Sequence, residues 1–332
     1  MANYNCVLCG SKELELISSV RDNAKKKIYK CSRCGMIQLH PRITTNPDKD
    51  QPSIDNQDAN RITAPIDLEN NKKIYKGKLV GHPDILQLAH VLENDYDRFL
   101  DHVAKYITKD QHAHPHGDGL NLLDVGTGYG HFPHLVRRDY PNIETYGLDC
   151  NYSKLMYGKE TCNLDFNFIF DKIENNKFVE SYRGTFDIIT SWHVLEHVYY
   201  PVLWIENIMQ LLKDDGVVLL EFPNEDDELL QQAPEYSKLI HFEDHVNYFN
   251  KDTVTKLLID CGISNSNFTV TGVQRYGFYN YIDWIRYGTK DKVNGDDYRN
   301  INNPPRSKYE KSWIEEREKN LTSDTLLVTI KK

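Results

Sequence analysis

Four cysteines set as two C-x-x-C pairs, Cys6 with Cys9 and Cys31 with Cys34, concentrate the first chemistry in the chain, and glycine follows each pair at Gly10 and Gly35. Glycine there lets the backbone curl until two thiolates face one ion, and two such knuckles complete a tetrahedron. The expectation is a structural Zn2+ held by Cys6, Cys9, Cys31 and Cys34, because four thiolates leave no position open for a substrate. The alternative is two unrelated thiol pairs. Cys150, Cys162 and Cys261 are scattered singly. The opening "MANYNCVLCG" shows no basic region followed by an apolar core, and no apolar run approaches the roughly 20 residues that span a bilayer. A cytoplasmic chain with reduced thiols and no membrane partner is expected.

A second concentration lies in "NLLDVGTGYGHFPHLV", Asn121 to Val136. An apolar run ends in Asp124 and Val125, three glycines alternate at Gly126, Gly128 and Gly130, and a helical pattern follows. Glycines in that position mean that a ligand approaches the backbone too closely for a Cβ. Two further candidates are the imidazoles of "SWHVLEHV" (His193, His197) and of "HFEDHVNYF" (His245). His112, His114 and His116 form a third group, better read as a solvated loop than as a metal site because no Cys or carboxylate is spaced to complete it.

These groups need elements to hold them. Charged residues make up 27% and hydrophobic residues 39% of 332 residues, so an ordinary globular core is available. From residue 121 short apolar strands alternate with helical segments: NLLDV, HFPHLVRRDY, ETYGLD, YSKLMYGKE, FNFIF, FDIITSW, PVLWIENIMQLLK and, after an Asp214-Asp215-Gly216 turn, GVVLLEFP. Such alternation predicts an α/β fold, a doubly wound and mostly parallel sheet with helices on both faces. The division expected is 1–42 for the zinc ribbon, 43–84 for a linker and lead-in rich in Asn, Asp and Pro, and 85–332 for the main domain. The net charge of −9 is the wrong sign for a protein that tracks phosphate backbones, so a nucleic-acid partner is not expected.

The spacing Gly126-x-Gly128-x-Gly130 after Asp124 is shorter than the dinucleotide pattern and resembles motif I of the class I S-adenosylmethionine-dependent methyltransferases. That resemblance covers about residues 85 to 265 and implies a seven-stranded sheet whose last strand runs antiparallel. It also implies a loop wrapped around the methionine and ribose parts of S-adenosylmethionine. Cofactor contacts would then fall on Asp124, Gly126, Thr127, Gly128, Tyr129, Gly130, Asp149, Cys150, Asp171, Trp192 and His193. Within that set Asp149 would accept hydrogen bonds from both ribose hydroxyls, with a helix N-cap as its other reading. Asp171 would meet the adenine amine. Asp124 and Asp149 would lower the electrostatic cost of binding a sulfonium and an ammonium group.

With the ribbon added, the chain resembles methyltransferases of bacterial surface-polysaccharide clusters, including sugar-nucleotide C-methyltransferases. Their Tyr-x-Glu-His segment corresponds here to "HFEDHV", with Phe242 in the place of Tyr and Asp244 between Glu243 and His245, and their additional C-terminal domain has no room here. The implied partner is a small-molecule acceptor, a sugar, nucleotide sugar or phosphorylated precursor methylated on a hydroxyl. C-methylation, and an RNA or protein acceptor gripped by the ribbon, are the alternatives. His245, His193 and Glu243 are the catalytic candidates, with His245 removing the proton, His193 orienting the acceptor, and the carboxylates of Glu243 and Asp244 raising the pKa of His245. An aromatic insertion at about 275–320 would cap the pocket, and Arg275 could hold a phosphate.

Overall fold

The computed structural model describes residues 4–20, 23, 25–42, 66–67, 72–75, 78–80, 97–107, 119–289 and 308–332. His112, His114 and His116 lie outside the described residues, as does most of the expected linker. Within that linker three short strands are described, β4 (Ile66–Asp67), β5 (Lys72–Tyr75) and β6 (Lys78–Val80), paired as an antiparallel meander.

Seven strands form the main sheet. β7 (Asn121–Val125), β8 (Glu144–Asp149), β9 (Asn167–Phe170) and β10 (Phe186–Trp192) pair in parallel, β10 with β7, β7 with β8 and β8 with β9. β14 (Thr325–Lys331) runs antiparallel to both β11 (Leu212–Pro223) and β13 (Phe268–Val273), and the strand order is β13-β14-β11-β10-β7-β8-β9. The α/β class and the seven-stranded, mostly parallel sheet are as expected. The anticipated Asp214–Gly216 turn is instead extended chain within β11.

By its contacts the chain separates into two compact units: residues 43–190 with 211–216, and residues 1–42 with 191–210 and 217–332. In the first unit Leu122, Leu123, Val136, Leu148, Ile188 and Ile189 are buried. β7 carries buried apolar residues on both faces, Leu122 on one and Leu123 and Val125 on the other, as a strand covered on both sides must. α2 (His131–Asp139) follows the glycine loop, numbered after the helix over residues 97–107.

The second unit joins the N-terminal ribbon to later segments of the chain. Its ribbon sheet orders β1 (Leu14–Ser19), β2 (Lys27–Cys31), β3 (Ile37–His40) and β12 (Asn247–Tyr248). The reason is edge pairing: β12 adds to β3 with Asn247 opposite Gln38 and Tyr248 opposite Ile37, and Val20, Ile28, Ile37, Leu39, Val246 and Tyr248 share one core. An exposed edge strand is a template for another strand, and here the chain supplies its own.

The stretch from 224 to 246 contains two short helices, Glu228–Gln232 and Pro234–Ile240. Asp227 caps the first through the Leu229 N–H and proline opens the second, both standard helix starts. The expected cap insertion contains helices Phe278–Tyr287 and Lys308–Asn320.

Candidate functional site

In the first unit, the glycine loop closes on Asp149. Gly126 and Thr127 both donate backbone N–H groups to the Leu148 carbonyl, at 2.8 and 3.1 Å, and Gly128 N–H donates to Asp149 Oδ2 at 2.7 Å. Gly128 has φ +60 and a Cβ built there would meet nothing within 4 Å, so this turn opens a space where backbone itself forms the wall. At Gly130 the requirement differs: φ is +84 and a Cβ would lie 1.8 Å from the Phe166 ring. Glycine is needed there for packing.

Asp149 Oδ1 accepts from the Asn151 N–H at 2.7 Å, and Asn151 in turn caps the helix Tyr152–Met156, its Oδ1 accepting from the Lys154 N–H at 3.0 Å. The cap role considered for Asp149 thus falls to Asn151, while each Asp149 carboxylate oxygen keeps a second lone pair. Burial raises the pKa of Asp149, against the lowering effect of the Asn151 and Gly128 N–H groups. Asp124 is buried and accepts from Thr190 Oγ1 at 2.8 Å. Burial lifts its carboxyl to about 7, opposed by the Thr127 and Thr190 hydroxyls and assisted by the negative charge of Asp149. Tyr129 packs edge-on against Tyr157, and Cys150 is exposed at the end of β8. Asp171 accepts from Lys172 N–H at 2.7 Å and from Asn175 Nδ2 at 2.9 and 3.0 Å, which pins the turn after β9.

In the second unit a pocket of about 330 Å³ is lined by His193, Glu196, His197, Phe242, His245, Arg275, Tyr276, Trp284 and Asp324 among others. Its size suits a small molecule, and its wall combines the aromatic rings of Tyr236, Phe242, Tyr276 and Trp284 with a larger set of polar side chains. Trp192 and His193 belong to this unit. His193 has φ +56, a strained backbone for a residue with a Cβ, and the surrounding bonds hold it there. Its N–H donates to the Glu221 carbonyl at 2.7 Å, Nε2 lies 3.0 Å from Glu221 Oε1, and Nδ1 lies 3.5 Å from Glu196 Oε1. Burial and the Arg275 guanidinium oppose the charged imidazolium, yet the hydrogen bonds from Glu196 and Glu221 outweigh both, and the His193 pKa is raised.

Asp324 fixes the turn that carries Arg275. Its carboxylate accepts from Gln274 Nε2 at 2.7 Å, from the Arg275 and Tyr276 N–H groups and from Thr325 Oγ1. Trp284 and Tyr276 of the C-terminal insertion line the pocket.

His245 departs from expectation in its surroundings. Its ring packs on Phe242 at 4.0 Å and on His197 at 4.9 Å. Glu243 is turned to the ribbon, accepting from Asn23 Nδ2 at 3.1 Å and pairing with Lys26 at 3.5 Å, while the Asp244 carbonyl accepts from His197 Nδ1 at 2.8 Å. Burial pushes the His245 imidazole down to about 3, opposed by Glu196, so the expected rise from Glu243 and Asp244 does not occur. Glu221 and Asp324 were missed in the sequence. A lone carboxylate inside "GVVLLEFP" was the available signal, since an unpaired acid is seldom fully buried.

A family described as a methyltransferase domain matches residues 88–265. The chain belongs to this family. Over 104 residues it is 31% identical to the ribosomal RNA small subunit methyltransferase G of Mycoplasmoides gallisepticum, covering 30% of this chain and 41% of that protein. Over 111 residues it is 30% identical to the ubiquinone biosynthesis O-methyltransferase of Nitrosococcus oceani, covering 32% of this chain and 44% of that one. The chain thus spans less than half the length of both curated relatives. A solved S-adenosylmethionine-dependent methyltransferase from Archaeoglobus fulgidus is 15% identical with a TM-score of 0.44, covering 71% of this chain and 94% of that one.

The methyltransferase domain's loop fits the cofactor that the family uses, on two observations: the open space at Gly128 and the spare lone pairs of Asp149. The ribbon fits a metal. Cys6 and Cys34 sulfurs are 3.5 Å apart, Cys9 and Cys31 sulfurs 3.6 Å, and all four lie within 4.8 Å. A tetrahedral zinc with about 2.3 Å bonds separates its sulfurs by roughly 3.8 Å. Both knuckles close by the same bond, Gly10 N–H to the Cys6 carbonyl and Gly35 N–H to the Cys31 carbonyl, each 2.9 Å. Among the described residues no helix is long and apolar enough to cross a membrane.

Proposed function

We propose that the protein transfers a methyl group from S-adenosylmethionine to a hydroxyl of a small acceptor, a sugar, nucleotide-linked sugar or phosphorylated precursor of surface polysaccharide. The observation that carries this reading is the glycine loop of a methyltransferase domain closing on Asp149. The cofactor, when bound, supplies a methyl group on a sulfonium. Gly126, Thr127, Gly128 and Tyr129 would hold its methionine and ribose, Asp149 would accept from the ribose hydroxyls, and Asp124 would offset positive charge. Asp171 and Cys150 would complete the adenine side.

The acceptor lies in the pocket of the second unit, where aromatic walls pack against its ring and Arg275 binds an anionic group with its guanidinium fork. His193 is the base in this reading. The cofactor would supply the methyl group and leave as neutral S-adenosylhomocysteine, and His193 would hold the proton given up by the acceptor hydroxyl, its imidazolium stabilised by Glu196 and Glu221. A positioned base contributes about 10²- to 10⁴-fold, and alignment of the partners supplies up to roughly 7–11 kcal/mol more. His245, the base expected from sequence, is held neutral and serves the pocket wall. A structural Zn2+ on the four cysteines folds the ribbon, and through β3 and β12 the ribbon steadies the segment bearing His245.

The test is release of S-adenosylhomocysteine across a panel of nucleotide sugars, phosphorylated sugars and small phenols, with ribosomal RNA as a separate arm. Turnover with a small hydroxyl acceptor supports the reading. Turnover with RNA alone overturns it.

A further inference from the structure

We propose that Glu196, His197 and His245 form a second metal centre, separate from the four cysteines, which holds one divalent first-row transition ion in the wall of the pocket. Glu196 and His197 lie in the turn Leu195–His197, and His245 arrives on the segment before β12. The Val246 N–H donates to the Glu196 carbonyl at 2.8 Å, and Asn247 Nδ2 donates to the Leu195 and Val198 carbonyls, so backbone bonds fix the two segments together. One donor atom from each of the three residues lies within 4.8 Å of the others. An ion with bonds of about 2.0–2.2 Å tolerates donors up to about 4.4 Å apart, so a shift of roughly half an ångström completes the set.

Three observations point to a cation there. Glu196 is 3% exposed, and its Oε2 is buried with no hydrogen-bond partner, although a buried carboxylate oxygen is costly unless something positive meets it. His245 is 8% exposed and its Nδ1 is likewise buried without a partner. His197 Nδ1 contacts the Asp244 carbonyl, which can only accept, so Nδ1 carries the proton and the Nε2 lone pair is left on the side of Glu196, 4.0 Å from Oε1. A backbone carbonyl that fixes the tautomer in this way is the usual support of a metal-binding imidazole.

Two imidazoles and a carboxylate suit Zn2+, Fe2+, Co2+ or Mn2+, with positions left for a substrate. The His197 side chain is 41% exposed, which gives an ion its way in. An ion there would polarise an acceptor hydroxyl next to His193. That use rests on the methyl-transfer reading; the binding of metal does not.

The experiment titrates the full-length chain, zinc still on its cysteines, with Mn2+ followed by electron paramagnetic resonance. Mn2+ is chosen because a hard ion competes poorly for thiolates. One Mn2+ per chain is expected, with affinity reduced by about 100-fold or more in Glu196→Gln, His245→Ala and His197→Gln. His197 is exposed, so His197→Gln keeps the test valid should a buried substitution unfold the protein. Near-ultraviolet circular dichroism and a retained cysteine-bound zinc report the fold. Elemental analysis after excess Zn2+ should find two ions per chain in the wild type and one in the variants. A folded wild type that takes up no Mn2+ and holds one Zn2+, or uptake that survives all three substitutions, overturns the site. Mn2+ binding in a protein that transfers no methyl group supports the site and counts against the methyl-transfer reading.

Discussion

Asp149 reaches Gly128 across 21 residues, from the end of one strand to the loop after its neighbour. The pocket of the other unit gathers His193, Pro223, His245, Arg275 and Asp324 from segments more than 130 residues apart, and part of its wall leans on a ribbon near the N-terminus. A ligand loop of the first kind depends on local backbone geometry and on one carboxylate. A pocket of the second kind depends on long-range pairing, so it should fail when distant supports are removed.

The largest effect should come from the ribbon. On the structural-zinc proposal, Cys31→Ser breaks a metal site whose folding is tied to ion binding, and loss of zinc should abolish turnover while S-adenosylmethionine affinity stays within a factor of about two, as for sites that share no partners. Elemental analysis and calorimetry on the same sample check both halves, and a matching loss of cofactor affinity would mean that the two regions do not behave separately. Next in size, His193→Ala should lower turnover by about 10²- to 10⁴-fold with cofactor affinity unchanged, read by steady-state kinetics. If His245→Ala lost more than His193→Ala, proton removal would return to His245.

How much of this was legible follows from the same contrast. The glycine loop, Asp124, Asp149 and the parallel strands could be read because strand, glycine spacing and helix fall within one short window where period and turn chemistry speak directly. The four cysteines could be read for the same reason. The neighbours of His245 could not, because residues adjacent in sequence need not face the same way: Glu243 turns to Asn23 and Lys26 while Glu196, from another segment, lies near the imidazole. The merging of the ribbon with the C-terminal half rests on a two-residue strand, too short to leave a periodic signature.

A smaller effect concerns pH. The folded pKa of Asp124 is about 7, set by burial, whereas an unfolded aspartate titrates near about 3.9. The folded state therefore holds more protons between about pH 4 and 7, and stability should fall as pH rises through that window. Cofactor affinity should move the other way, rising from about pH 6 to 8 as the carboxylate forms to meet a cation. Asp124→Asn should flatten both trends in thermal melts and calorimetric titrations. The smallest effect belongs to Glu243, whose partly exposed pair with Lys26 is worth about 0–1 kcal/mol. Glu243→Gln should lower the melting temperature slightly, and a fall in turnover by orders of magnitude would show that this carboxylate acts in the chemistry.

The central claim is that the Gly126–Gly130 loop and Asp149 hold S-adenosylmethionine, and calorimetric titration of wild type and Asp149→Ala with that cofactor tests it most directly. One site per chain is predicted, weakened by about 1–3 kcal/mol in the variant because two hydrogen bonds to the ribose are lost. No binding to the folded wild type, or equal affinity in both proteins, would contradict it.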